Sequence, residues 1–151
     1  AETRMQEDYG HNRRRAAGTA LLFEQAARRL LEKRYPHDLH AAQWSALRYF
    51  ARAGRRTANV IGLSRYLGNT SGSTSRTARS LVDRGLLAVS PSDHDARSVM
   101  FTLTEEGHQV LKDDPLNELA EILAALSLED IARLSQTLDL VMTDLVRRRT
   151  P

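Results

Sequence analysis

The stretch from Thr70 to Thr104, TSGSTSRTARSLVDRGLLAVSPSDHDARSVMFTLT, changes its apolar period partway along, and that change restricts the folds open to the chain. Thr74, Ala78 and Leu81 recur at helical spacing. Leu86, Leu87 and Val89 then read as a short strand, and Val99, Phe101 and Leu103 alternate with Met100 and Thr102 as a second, apolar on one face. Thr70 is placed to cap the helix by accepting from a free N–H of its first turn. Gly85 ends it, where a left-handed cap needs no Cβ. The narrow seam of Thr74, Ala78 and Leu81 lets another helix approach closely.

Off that seam lie Ser71, Ser73, Ser75, Arg76 and Arg79, which offer short hydroxyls and guanidinium forks without bulk. Such a face suits a helix entering the ~12 Å major groove to meet base edges and phosphates. A solvated surface helix has the same residue types, so the helix alone leaves both readings open. The residues after the helix favour the first. Pro91 to Asp95 form a polar, turn-rich tip between the strands, and helix, strand, tip and strand make a winged helix-turn-helix. Asp95 stands two residues before Arg97. On an extended segment the two side chains share a face, so the carboxylate is expected to hold the guanidinium for insertion into a minor groove. An ordinary exposed ion pair, worth ~0–1 kcal/mol, is the alternative.

The flanks predict helices. Residues 1–12 are polar and without periodicity, and are expected to fray or to pack only in an oligomer. From Ala16 to Arg34, Ala20, Phe23, Ala27, Leu30 and Leu31 recur at helical spacing, and Tyr35-Pro36-His37-Asp38 ends that helix. A second helix from His40 to Ala51 buries Trp44, Leu47 and Phe50. Thr57 is read as the cap of a third, with Val60, Ile61, Leu63 and Leu67 on it, and Gly62 inside it points to a close helix crossing. After the hairpin Thr104 caps a helix opening with Glu105-Glu106. Pro115 predicts a kink or a new start, and Ser127 with Asp130 forms a capping box for the last helix. There Ile131, Leu134, Leu138, Val141 and Leu145 recur at spacings of 3, 4, 3 and 4, a seam that wants another helix. The terminal helices together have more apolar surface than so small a core can cover, so a symmetric homodimer through both termini is expected. The boundaries are drawn at residues 1–38 for the N-terminal arm and dimerisation helix, 39–107 for the winged DNA-binding region, and 108–151 for the C-terminal dimerisation helices.

Charge is segregated along the chain. Residues 48–97 hold nine Arg against three acidic residues, whereas residues 98–146 hold ten acidic residues against Lys112 and Arg133. Phosphate backbones are drawn to the first segment and repelled by the second. No cysteine is present, which excludes disulfides, cysteine-ligated zinc and thiol redox switching. His11, His37, His40, His94 and His108 show no pattern of nucleophile, base and orienter, so no enzyme is expected. His37 and His40 at a helix start leave a metal-responsive regulator as one alternative, and a non-enzymatic helical interaction module as another. No apolar run approaches the ~20 residues of a membrane span and no secretory pattern opens the chain, so a cytoplasmic protein is expected.

Leu67-Gly68, sixteen residues, Gly85-Leu86, then Asp95-x-Arg97 and Leu103-Thr104-x-x-Gly107 resemble, in order and spacing, the multiple-antibiotic-resistance-regulator (MarR) family of transcription factors. The match is ungapped from about Leu63 to Gly107 and weaker over both flanks. Ala88 and Ser90 depart from it where relatives often have charged residues, and His40 where relatives often have Thr. The resemblance implies a mainly α fold with a small antiparallel β wing, terminal dimerisation helices, and a repressor of a pseudo-palindromic operator in double-stranded DNA. It also implies release by a small aromatic or anionic effector between the dimer region and the winged domain, which places Arg28, Tyr35, Trp44 and His108 as candidate walls. Neither cofactor nor resident metal is implied, and Pro115 is a candidate hinge.

Overall fold

Trp44, Leu47 and Leu63 are completely shut off from solvent, and the helices bearing them set the position of the remaining elements of the core. The computed structural model describes residues 2–32 and 36–149, with side-chain surroundings from 10–30 and 37–149. In order they form α1 (Glu2–Glu32), a 3-10 turn (Pro36–Asp38), α2 (Ala41–Arg52), α3 (Val60–Leu67), α4 (Ser71–Asp83), β1 (Leu87–Pro91), β2 (Val99–Leu103), α5 (Glu105–Leu111), α6 (Leu116–Ala124) and α7 (Leu128–Arg149). The chain divides into two compact units, Ala1–Asp114 and Pro115–Pro151.

In the first unit, α2 gives Trp44, Ala46, Leu47 and Phe50 to the core. Leu63 of α3 and Ala78 and Leu81 of α4 close over them, with Leu39, Ala58, Leu86, Leu87, Phe101 and Val110 completing the set. Each fully buried Leu or Phe stabilises by ~1.5–3 kcal/mol. The hairpin pairs Leu87 with Leu103, Val89 with Phe101 and Pro91 with Val99. Phe101 stacks on Phe50 with ring centroids 5.3 Å apart, and its N–H donates to the Ala58 carbonyl at 2.8 Å, tying the wing to the loop between α2 and α3. Residues 87–103 thus lean on helices, as a hairpin of this size must.

Several expectations are corrected. The N-terminal arm does not fray: α1 is continuous from Glu2. Periodicity reports which face packs, whereas helicity needs only good formers such as the Glu, Gln, Arg and Ala found here. All described side chains from 11–29 are exposed, Leu21, Leu22 and Phe23 included.

The cap of α3 is Asn59, whose Oδ1 accepts from the Gly62 N–H at 2.9 Å. Thr57 lies in the turn before it. There its hydroxyl donates to the Gly54 carbonyl at 3.2 Å and its own carbonyl accepts from Tyr49 Oη at 2.6 Å. Ile61 faces outward. Gly62 answers to that turn rather than to a helix crossing alone, because a Cβ would stand 2.2 Å from Tyr49 Oη and 2.3 Å from the Thr57 carbonyl oxygen.

On β2 the apolar face is not the one expected at the tip end. Val99 is exposed while Met100 is buried, and Met100 lines a cavity of about 220 Å³ together with Phe50, Ala53, Phe101 and Leu103.

In the second unit, Pro115 precedes α6 as its N-cap, a new start rather than a kink in one helix. Ser127 Oγ accepts from the Asp130 N–H at 3.1 Å and donates to Asp130 Oδ2 at 2.8 Å, opening α7. Along α7, Ile131, Leu134 and Leu138 are partly buried, and Val141 and Leu145 are exposed together with Leu140, Met142 and Val146.

Candidate nucleic-acid interface

α4 is fixed at both ends and along its inner side. At its start Thr70 Oγ1 accepts from the Ser73 N–H at 3.4 Å. At its end Gly85, with φ +71, donates to the Val82 carbonyl at 2.9 Å, and Leu86 donates to the Leu81 carbonyl at 2.9 Å. That pair of bonds is the Schellman arrangement, which only a residue comfortable at positive φ completes without strain. Thr74, Ala78 and Leu81 are buried, as their spacing predicts. Gln43 adds a tie that sequence reading missed. Its side chain is buried, its Nε2 donates to Ser80 Oγ at 3.0 Å, and its Oε1 accepts from the His40 N–H at 3.0 Å. One amide therefore caps α2 and pins α4 to it. The signal was available in part, since a Gln three residues after a helix start is the returning half of a capping box.

With its inner side locked, α4 presents Ser71, Ser73, Arg76 and Arg79 to solvent, and Ser75 is half-buried beside them. Neither Arg76 nor Arg79 has an acidic partner among the described residues. Two unpaired guanidinium groups on one capped helix are able to meet phosphate or the acceptor edge of guanine.

At the wing, the expected pairing of Asp95 with the Arg97 guanidinium is not what forms. Residues 95–98 turn rather than extend, so the two side chains do not share a face. Asp95 Oδ1 instead accepts from the Arg97 backbone N–H at 2.9 Å, and the Asp95 carbonyl accepts from the Ser98 N–H at 3.0 Å. Asp95 thus shapes the turn, in the manner of an Asx-turn, and Arg97 is exposed with no ion pair among the described residues. Asp93 and Arg55, both exposed, approach to 3.5 Å between the tip and the α2–α3 loop, a contact worth little in water. Between this tip and the start of α3 lies an open cleft of about 430 Å³ lined by Arg56, Asn59, Ile61, Ser92, His94 and Ser98.

The effector-wall candidates stand in different surroundings. Trp44 is wholly buried in the core, and its Nε1 has no hydrogen-bond partner among the described residues. Arg28 pairs with Glu24 at 3.2 Å on the exposed α1. His108 is exposed and stands at the edge of the 220 Å³ cavity. Tyr35 lies outside the described residues. His37 Nε2 is 2.7 Å from Asp113 Oδ2, and no group of three metal-type side chains occurs among the described residues. No helix among the described residues is long and apolar enough to cross a membrane.

The MarR family model matches residues 37–98. Among curated proteins none matches the sequence. Among solved structures, a MarR transcriptional regulator from Methanosarcina mazei Go1 superposes with a TM-score of 0.67 at 23% identity, over 88% of this chain and 98% of that one. Wild-type MarR from E. coli, in its apo form, superposes with a TM-score of 0.58 at 26% identity, over 83% and 95%. A point variant of MepR from S. aureus, bound to an oligodeoxyribonucleotide, gives 0.58 at 16% identity, over 86% and 96%. Helix order, the two-stranded wing and the matches agree: residues 37–98 match the MarR family, and the chain has the winged helix-turn-helix fold of the MarR regulators it superposes on.

Proposed function

We propose that the protein is a sequence-specific repressor that binds a pseudo-palindromic operator as a homodimer and leaves it when a small aromatic or anionic effector binds. The observation behind this is the capped, inwardly locked α4, whose outward side has Arg76 and Arg79 without acidic partners beside Ser71 and Ser73. Thr70 and Ser75 complete that helix's DNA-facing set, and Arg97, on a turn shaped by Asp95, adds a cation at the wing for the adjacent groove. The DNA-bound S. aureus relative supports the reading by fold.

In this proposal residues 39–107 read DNA, while 1–38 and 108–151 join the protomers. The apolar surface for that joining is present in each unit: Leu21, Leu22 and Phe23 on α1, and Ile131, Leu134, Leu138, Val141 and Leu145 on α7. Two readers about a two-fold axis meet half-sites ~34 Å apart. For the effector, the 220 Å³ cavity with Arg55 and His108 on its rim is below the ~300–1,000 Å³ of drug-sized sites and suits a single-ring anion.

Selection of bound fragments from random duplex DNA tests the function directly. An inverted repeat is expected among the winners. On that repeat Arg76→Ala is expected to cost ~1–3 kcal/mol and to relax sequence choice at one position. An equal loss on every sequence would make Arg76 a phosphate contact, and failure of the unmodified protein to select any sequence would refute the function.

A further inference from the structure

The two places where the chain leaves the winged core are tied down by side chains, and one of the ties comes from the residue that ends α4. His37 and Asp38 have φ 63 and 56, consecutive left-handed residues without a glycine between them. Such a turn is strained for L side chains and persists only where neighbours hold it. Arg84, the C-cap of α4, is the holder: its Nη1 donates to the Asp38 carbonyl at 2.9 Å and its Nη2 donates to the His37 carbonyl. A planar guanidinium fork reaches two adjacent acceptors at once, which an ammonium does not. Immediately after the turn, Leu39 plunges into the core. The imidazole of His37 meets Asp113 at 2.7 Å, and the next residue, Asp114, receives two bonds of 2.6 Å each from Arg48 of α2. Asp113 and Asp114 are the last residues before Pro115, where the second unit begins.

Arg84 therefore differs from Arg76 and Arg79 on the same helix. Arg84 is exposed, but its guanidinium is engaged by the backbone carbonyls of His37 and Asp38. We propose that Arg84 is a positioning residue that locks the end of the recognition helix to the N-terminal arm and thereby sets the half-site spacing the homodimer accepts. The inference rests on the DNA-reading homodimer proposed above. If the protomers join through their terminal helices, the orientation of one reader relative to its twin depends on the turn where chain passes from arm to core. With Arg84 in place the turn at His37 and Asp38 has one conformation. Without it the strained turn relaxes, and each reader swings on its arm while its own groove-facing residues are untouched.

The test uses the full-length protein, the selected inverted repeat, versions of it with one base pair added or removed at the centre, and a duplex bearing a single half-site. One base pair moves the second half-site by about 3.4 Å and turns it by about 35°, so the unmodified protein is expected to lose about tenfold in affinity or more on either altered repeat. In Arg84→Ala that discrimination is expected to fall below about threefold, with single half-site affinity and its salt dependence unchanged. Retained tenfold discrimination overturns the inference. So does an equal loss at all three spacings, which marks a merely structural role, and so does weaker half-site binding with a shallower salt slope, which marks a phosphate contact. Should Arg84→Ala fail to fold, Asp113→Ala cuts the other tie to the same turn at an exposed carboxylate, and the same thresholds decide. If the unmodified protein selects no sequence, the DNA-reading function falls and this inference with it. Lost spacing control can be judged only where that selection succeeds, so the two failures are told apart.

Discussion

Gly62→Ala sets two effects of known sign against each other at the foot of the wing. In a helix interior, replacing Gly by Ala gains ~1 kcal/mol of propensity, so α3 considered alone should be stabilised. The structure opposes that gain. The new Cβ would lie 2.2 Å from Tyr49 Oη and 2.3 Å from the Thr57 carbonyl oxygen, where ordinary contact begins at 3.4 Å, so each atom must retreat by about 1 Å. Tyr49 is a side chain able to swing away, but the Thr57 carbonyl belongs to a turn held from both sides. Forcing it aside breaks the 2.6 Å bond from Tyr49, at ~1 kcal/mol, and adds an overpacking cost of ~1–3 kcal/mol. The sum favours destabilisation by ~1–3 kcal/mol, equivalent to a thermal midpoint lower by roughly 3–10 °C for a chain of this length. Because Ala58 comes directly after Thr57 and its carbonyl holds Phe101 of the wing, operator affinity should fall as well. Urea titration and thermal unfolding measure the first effect, and fluorescence anisotropy on the selected operator the second. Adding Tyr49→Phe to the variant should restore only part of the stability, since the Thr57 oxygen stays. For stability Gly72→Ala is the control, because a Cβ there meets nothing within 4 Å. A Gly62→Ala protein as stable as the parent or more so would refute the steric argument and leave propensity as the governing term.

Two further substitutions separate roles that composition leaves merged. Asp95→Asn keeps an oxygen to accept from the Arg97 N–H and should bind DNA within about threefold of the parent, whereas Asp95→Ala frees the wing tip and should lose about tenfold with little change in folding stability; equal losses in both variants would restore a charge-pairing role for the carboxylate. At the proposed dimer surface, Val141→Asp together with Leu145→Asp puts charge on two exposed apolar positions of α7, and sedimentation equilibrium should then report a monomer that no longer discriminates an inverted repeat from a single half-site. A stable dimer of the double variant would move the interface elsewhere.

The parts of this fold that could be read from sequence are those decided within one turn of the residue concerned. Thr70, Gly85 and Thr104 punctuate α4, the wing and α5 as expected, because a cap accepts or donates three or four residues away. Thr57 reads as the cap of α3 by that local rule, yet Asn59 fills the role, and Thr57 sits in a turn whose carbonyl is engaged by Tyr49, a residue on another helix. The same limit applies to the arginines. Nine of them between residues 48 and 97 look alike as a count, yet Arg48 is committed to Asp114, 66 positions away, and Arg84 to the Asp38 carbonyl, 46 away, while Arg55 makes a weak, exposed contact with Asp93, 38 away. No spacing rule reaches such partners. With those three engaged, the cations without an acidic partner among the described residues include Arg76 and Arg79 on α4 and Arg97 on the wing. A uniform basic surface would attract any duplex equally through its phosphates. Arg52, Arg56 and Arg65 are exposed and likewise without an acidic partner among the described residues, so in the proposed function Arg76, Arg79 and Arg97 are set apart by position, on a helix whose inner side and both ends are bonded in place and on a wing, and position is what base-edge recognition requires.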